Sequence, residues 1–335
     1  MKYVVSIILG LAGLVYGHGD HAHSETKAGH MGNAEFHYYM EPNWGRDSGE
    51  FMGPMHGGVV VDKRGLVYVS TDGPESMYVF SPEGELLKKM AKEARGIHHM
   101  LIREENGQEF IYGAQLNAFN ERIERMVKLN LDGEIVFQIP NEKTGEVPQG
   151  FNGMSGVAVA PNGDIFCSLG YGGDVVHKFD AEGRWLKTIG GKGSGVGEFK
   201  VPHTMAIDPR FGEARLLVCD RENGRLQHFD LDGNFIQIYK SGLRRPGTVV
   251  VFGDLIAVAE LRGRISILNK AGDIVAELGD KENKHQWAKL DTKPHELKQG
   301  SFASPHGLAI DSAGNFYVQE WSRVGRISKL KKLSK

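Results

Sequence analysis

Only two cysteines, Cys167 and Cys219, occur in 335 residues. That excludes a small disulfide-dense scaffold and leaves either one pairing or two free thiols. Both sit on the same kind of strand in neighbouring repeats, so spacing alone does not decide whether they pair. Excess charge of either sign is also missing: 40 Lys and Arg face 42 Asp and Glu, a formal net charge of -2. The chain therefore carries no electrostatic footprint for nucleic acid or an acidic lipid surface. Long apolar runs are absent after residue 17. The one apolar run, Tyr3 to Val15 behind Lys2, is too short to span a bilayer comfortably. It reads as a secretory signal over residues 1–17, with Val15-Tyr16-Gly17 as the cleavage site and an uncleaved anchor as the alternative. The expected compartment is secreted or periplasmic, with no transmembrane span in the mature chain. Residues 18–33 hold His18, His21, His23 and His30 among small polar residues. Such a tract cannot bury a core and is expected to be a flexible leader with incidental metal affinity.

What is abundant is glycine, 45 residues, and it falls at regular turns. One unit reads Val157-Ala158-Val159, a turn at Asn162-Gly163-Asp164, Ile165-Phe166-Cys167, Val175 to Phe179, a turn at Ala181-Glu182-Gly183, then Trp185 to Ile189. These are four short strands bounded by hairpin chemistry. The third turn recurs as Phe80-Ser81-Pro82-Glu83-Gly84, Leu129 to Gly133, Phe179 to Gly183, Phe229 to Gly233 and Leu268 to Gly272. A sixth unit starts at Pro305 and stops after its third strand, Arg326 to Leu330. The missing strand is expected at the other end, at Glu35 to Met40. Its pairing would close a ring and leave only short protected edges. The fold expected over residues 34–335 is therefore all-β, a six-bladed β-propeller closed by an N-terminal strand.

Innermost strands are expected to begin near residues 56, 98, 155, 203, 247 and 306. Three of these positions repeat one phrase: Ile97-His98-His99-Met100-Leu101-Ile102, Pro202-His203-Thr204-Met205-Ala206-Ile207-Asp208 and Pro305-His306-Gly307-Leu308-Ala309-Ile310-Asp311. In a propeller these positions face one mouth of the central channel. His98, His203 and His306 occupy alternate blades and so approximate a three-fold set around the axis. Three neutral imidazoles plus an open position make a catalytic zinc arrangement. Copper, iron or nickel would also accept such a set. His56 lies between blades six and two, as a further ligand or a substrate contact. A histidine at the start of a strand can also be an ordinary hydrogen-bonded residue. Tyr171, in Ser168-Leu169-Gly170-Tyr171-Gly172-Gly173, and Arg221, in Asp220-Arg221-Glu222-Asn223-Gly224-Arg225, belong to loops expected at the same mouth. Arg221 could hold a carboxylate, or pair with Asp220 or Glu222 between blades.

These segments, with Gly191-Lys192-Gly193-Ser194-Gly195, resemble the NHL-repeat propellers, and among them peptidyl-α-hydroxyglycine α-amidating lyase, over most of residues 50–330. The resemblance implies zinc held by His98, His203 and His306, with Tyr171 and Arg221 as catalytic residues. It also implies that Tyr171, its pKa lowered by nearby positive charge, removes the hydroxyl proton of an α-hydroxyglycine. The C–N bond then breaks to give an amide and glyoxylate. The match departs from the family at several positions. The aspartate of the tyrosine loop is Leu169 and an arginine after the tyrosine is Val175. The blade-one arginine falls at Thr71 and Asp72, and a methionine before the last histidine is Ser304. The aspartate that helps hold structural calcium is Gly307, so calcium is not carried over. The expected partner is a small-molecule or peptide substrate. Two alternatives stay open: a non-catalytic NHL propeller binding a peptide, protein or glycan, and a lactonase-type hydrolase with channel calcium. The second needs carboxylate and amide oxygens where this chain offers imidazoles.

Overall fold

The computed structural model describes residues 28–46, 49–116, 123–281 and 283–334. Its strands form six antiparallel sheets, and the innermost strands of neighbouring sheets touch all the way round, the sixth meeting the first. Blade one runs from Val59–Val61 to Leu86–Met90, blade two from Ile97–Glu105 to Ile135–Ile139, and blade three from Gly156–Val159 to Trp185–Gly190. Blade four runs from Pro202–Asp208 to Phe235–Ser241 and blade five from Pro246–Phe252 to Ile274–Leu278. The fold is a six-bladed β-propeller. In five blades the turn before the outer strand places its glycine (Gly84, Gly133, Gly183, Gly233, Gly272) at φ of 83 to 95°. That left-handed backbone is open to glycine at no steric cost, which is why the turn is legible as a repeat.

Blade six holds Pro305–Ile310, Phe316–Glu320 and Ile327–Lys332, and its fourth strand is His37–Met40. Tyr38 pairs with Lys332 and Met40 with Leu330, so the ring is closed by the N-terminal strand as expected. Residues 30–32, assigned to the leader from sequence, instead form a fifth strand outside His37–Met40. Met31 explains the difference: its side chain is buried in the apolar cluster between blades five and six. Residues 1–17 and 18–27, the expected signal and the rest of the leader, lie outside the described residues. Among the described residues, no helix is long and apolar enough to cross a membrane.

The core is distributed rather than central. Six apolar clusters sit one between each pair of adjacent blades, for example Phe166, Phe199 and Phe229 between blades three and four. Each sheet face is thus buried against the next, the sandwich principle repeated around a circle. Cys167 and Cys219 lie in different clusters as free, buried thiols. Burial pushes the Cys219 thiol up to about 12 and that of Cys167 higher still, so both behave as small apolar side chains. With packing placed between the blades, the polar side chains at the strand starts are left to face the axis.

Candidate metal centre

Four imidazoles converge at one mouth of the channel. Ring centroids are 4.7 Å apart for His98 and His203, 4.7 Å for His98 and His306, and 5.0 Å for His203 and His306. His56 stands 4.5 Å from His98 and 4.8 Å from His306. The three expected alternate-blade histidines are therefore brought together, and His56 joins them. One ligand nitrogen each from His56, His98 and His306 lie within 4.8 Å of one another, a group that could hold a metal ion.

The orientation of three rings follows a three-fold rule. Nδ1 of His98 lies 2.6 Å from the Ser155 carbonyl, Nδ1 of His203 2.7 Å from that of Gly247, and Nδ1 of His306 3.0 Å from that of Gly57. In each case an even-numbered blade bonds to the start of the next blade. A carbonyl only accepts, so Nδ1 carries the proton and the Nε2 lone pair points inward. All three rings are buried. Burial, with lesser contributions from neighbouring imidazoles and Arg221, holds His56, His98 and His203 well below the ordinary imidazole range and His306 at about 4. The rings are neutral at physiological pH, the form that binds a cation.

A second repeated device fixes the segments leading into these strands. Asp220 ends the second strand of blade four. It accepts from Arg225 Nε at 2.7 Å and from the backbone N–H of Lys200 at 2.8 Å, three residues before His203. Arg225 also donates to the carbonyls of Ser194, Gly195 and Glu198. In blade six, Glu320 pairs with Arg326 and accepts from the N–H groups of Ala303 and Ser304 at 2.6 and 3.0 Å. In blade two, Gln115 takes the acid's place: Arg125 Nε donates to it at 2.7 Å, and it donates to the Arg95 carbonyl at 2.5 Å. These braces were not singled out from sequence. The signal was the recurring carboxylate followed by arginine, Asp220 and Arg225, Glu260 and Arg264, Glu320 and Arg326.

Tyr171 reaches the same point from blade three. Its hydroxyl is 2.8 Å from Nε2 of His203, 3.1 Å from Nε2 of His98, and accepts from Arg221 Nη1 at 3.0 Å. The side chain is 37% exposed: the ring forms part of the mouth while the hydroxyl points in among the imidazoles. Glycines make this possible. A Cβ on Gly170 would stand 2.5 Å from the Pro202 carbonyl oxygen, and one on Gly172 2.3 Å from that of Asn152. Leu169, where the related family has aspartate, is fully buried between blades two and three and anchors the loop. The expected lowering of the Tyr171 pKa is corrected: burial pushes it up, and Arg221 only partly offsets this.

Arg221 is held by Glu222, which its Nε meets at 3.0 Å. Asp220, the other anticipated partner, is taken by Arg225. Arg245, absent from the sequence reading, also pairs with Glu222. Trp321, with its ring 5.7 Å from His56, completes the wall there. It was likewise missed, although it follows the second strand of blade six as Tyr171 and Arg221 follow those of blades three and four.

The donor set fits a divalent cation. With three Nδ1 protons committed to carbonyls, the inward lone pairs of His98 and His203 compete for one phenol proton. Nε2 of His306 is buried without a hydrogen-bond partner among the described residues. An unmatched buried acceptor is costly, and a Lewis acid satisfies several at once. Position 307 offers no carboxylate for calcium, and a Cβ there would lie 2.9 Å from the Gly57 carbonyl oxygen, so an aspartate would require a shift.

No protein-family profile matches the chain. Among curated proteins it is 27% identical over 179 residues to mouse peptidyl-glycine alpha-amidating monooxygenase, covering 52% of this chain and 17% of that one. It is 29% identical over 184 residues to a probable peptidyl-alpha-hydroxyglycine alpha-amidating lyase of Caenorhabditis elegans, covering 52% and 49%. It is 26% identical over 246 residues to mouse NHL repeat-containing protein 3, covering 69% of each. The chain thus spans half or less of the amidating relatives' length. Among solved structures, a streptogramin B lyase superposes with a TM-score of 0.58 at 15% identity, covering 88% of this chain and 98% of that one, a likeness of fold alone. The chain is a six-bladed β-propeller whose homologues, at modest identity, include NHL-repeat proteins and peptide-amidating enzymes.

Proposed function

We propose that this chain is an exported, zinc-dependent carbon–nitrogen lyase that releases glyoxylate from a small or peptidic α-hydroxyglycine. One observation carries the reading: the Tyr171 hydroxyl sits between Nε2 of His203 and Nε2 of His98 and against the Arg221 guanidinium. A base, a cation-binding set and a fixed positive charge thus meet within hydrogen-bond distance. His98, His203 and His306 would hold the zinc, which when bound polarises the substrate's hydroxyl and carbonyl oxygens. Arg221, braced by Glu222, orients the substrate's carboxylate and favours the phenolate over the phenol. Tyr171 takes the hydroxyl proton, and the freed oxygen pair becomes the carbonyl of glyoxylate. The C–N pair stays on nitrogen, and Tyr171 returns the proton there to give the amide. Burial, with a smaller contribution from the Glu222 carboxylate, opposes the phenolate, so the base depends on the positive charge gathered around it.

A second reading has its own support: NHL repeat-containing protein 3 matches more of this chain than the amidating relatives do. Under it the propeller binds a peptide, protein or glycan without chemistry. Elemental mass spectrometry on the wild-type chain and a His98/His203/His306 triple-alanine variant, with glyoxylate release from N-benzoyl-α-hydroxyglycine, separates the two. About one zinc per chain, lost together with activity in the variant, supports the lyase. No metal after zinc is added back favours the binding propeller.

A further inference from the structure

We infer that His56 is a fourth and exchangeable ligand, so that the resting ion is held by four imidazoles and substrate oxygen enters by displacing His56. This rests on the metal-centre reading above and goes beyond it in the number and hierarchy of ligands. His98 and His306 belong to two overlapping triples at once. One includes His203, at 4.7 and 5.0 Å between ring centroids. The other includes His56, at 4.5 and 4.8 Å, and is the set whose ligand nitrogens all lie within 4.8 Å. An ion between the shared pair therefore meets a nitrogen from each side. Two ligands about 2.1 Å from a tetrahedral centre stand ~3.4 Å apart, so ring shifts of about an ångström gather His56, His98 and His306, and His203 closes on them from outside that group.

A closed four-ligand site is ordinarily structural, and an open position marks a catalytic one. What reconciles the two here is unequal anchoring. His98, His203 and His306 are buried and each tied through Nδ1 to a carbonyl of the next blade. Outer bonds of that kind fix a ligand's tautomer and direction. His56 is only partly buried, precedes its strand rather than lying in it, and makes ring contacts but no hydrogen bond among the described residues. It sits between Met55, bridged to Ser322, and the Gly57-Gly58 pair, against Trp321. Of the four rings it alone can swing toward the mouth without breaking an inter-blade bond. The exchange trades one imidazole contact for one oxygen contact. His56 leaves as neutral imidazole, and no proton or electron moves.

The test loads the full chain and its His56→Ala and His56→Gln variants with Zn²⁺ and, separately, Co²⁺. X-ray absorption should count four imidazole nitrogens in the wild type and three in either variant. The visible spectrum of the cobalt form should change between wild type and variants. Zinc affinity, read by chelator competition, should fall at least by the ~10- to 100-fold that loss of an outer-shell partner costs. Melting of the metal-free proteins should coincide, since His56 makes ring contacts but no hydrogen bond among the described residues. Identical nitrogen counts, cobalt spectra and zinc affinity in all three proteins would overturn the assignment while leaving the three-histidine site standing. A wild-type chain that takes up neither metal would overturn both.

Discussion

The Tyr171 hydroxyl lies 2.8 Å from Nε2 of His203. Nδ1 of that ring is bonded to the Gly247 carbonyl, so its Nε2 accepts and the phenol donates. His98 presents an equivalent lone pair at 3.1 Å that the same proton cannot also satisfy. The arrangement is short of one positive group, and under the proposed function a cation would supply it beside Tyr171 as the base. Replacing Tyr171 by Phe should therefore lower glyoxylate release by about 10²- to 10⁴-fold, the usual worth of a general base. The zinc content should be kept. A Tyr171→Phe variant with unchanged turnover removes the tyrosine from the mechanism.

Arg221 donates to the Tyr171 hydroxyl at 3.0 Å and to Glu222. In Arg221→Met, Glu222 keeps its pair with Arg245, so folding is spared. The lost charged hydrogen bond is worth about 1.5–3 kcal/mol, or about 10- to 100-fold in kcat/KM. The same change should move the rising, acid-side limb of the pH–rate profile to higher pH, because the phenol loses the cation that opposes burial. Steady-state kinetics across pH checks both, and a profile that keeps its limb assigns Arg221 to binding alone.

Much of this was legible because propeller repeats convert sequence spacing into angular position. The phrases around His98, His203 and His306 recur at steps of 105 and 103 residues, and that sufficed to place them on one axis. The closing strand was legible from the strand missing after residue 330, and the turn glycines from their fixed place in each repeat. Three things were not. His30 to Gly32 looked like leader because one buried residue, Met31, carries no periodic signal. The braces of Asp220 and Glu320 reach backbone N–H groups and that of Gln115 a backbone carbonyl, partners that the recurring acid-and-arginine spacing does not name. The Tyr171 pKa went the other way because the sequence names the neighbouring charge but not the depth of burial.

Those braces are open to a direct test. Asp220 is fully buried, and Arg225 is its cation at 2.7 Å. Arg225→Met leaves that carboxylate with hydrogen bonds but no counter-charge, a loss of about 3–5 kcal/mol for a broken buried pair. It also frees the carbonyls of Ser194, Gly195 and Glu198 ahead of His203. Urea denaturation should show the loss, and zinc affinity should fall with it. Paired removal, with Asp220→Asn added, should recover part of the stability, because the uncompensated charge goes too. No recovery would mean that the loop contacts, rather than the ion pair, carry the effect.

Asp72 occupies the loop where the related lyases keep an arginine, and its N–H donates to the Pro54 carbonyl two residues before His56. Burial raises its carboxyl from 3.8 to about 6. For an acid whose folded value is raised, the folded chain holds the proton more tightly than the unfolded one between those two values. Stability therefore falls as pH rises through that window, and the full cost persists above it. Asp72→Asn removes the titration and should stabilise the protein at pH 7.5 by about 1–1.5 kcal/mol, roughly half of what two pK units would give, since the side chain is partly solvated. At pH near 3.5 the two proteins should unfold at the same denaturant concentration, both carrying a neutral group there. An equal gain at both pH values would show that shape rather than charge separates the side chains. The expected pattern would mean that this chain keeps an uncompensated acid in the loop bonded to Pro54, two residues before His56.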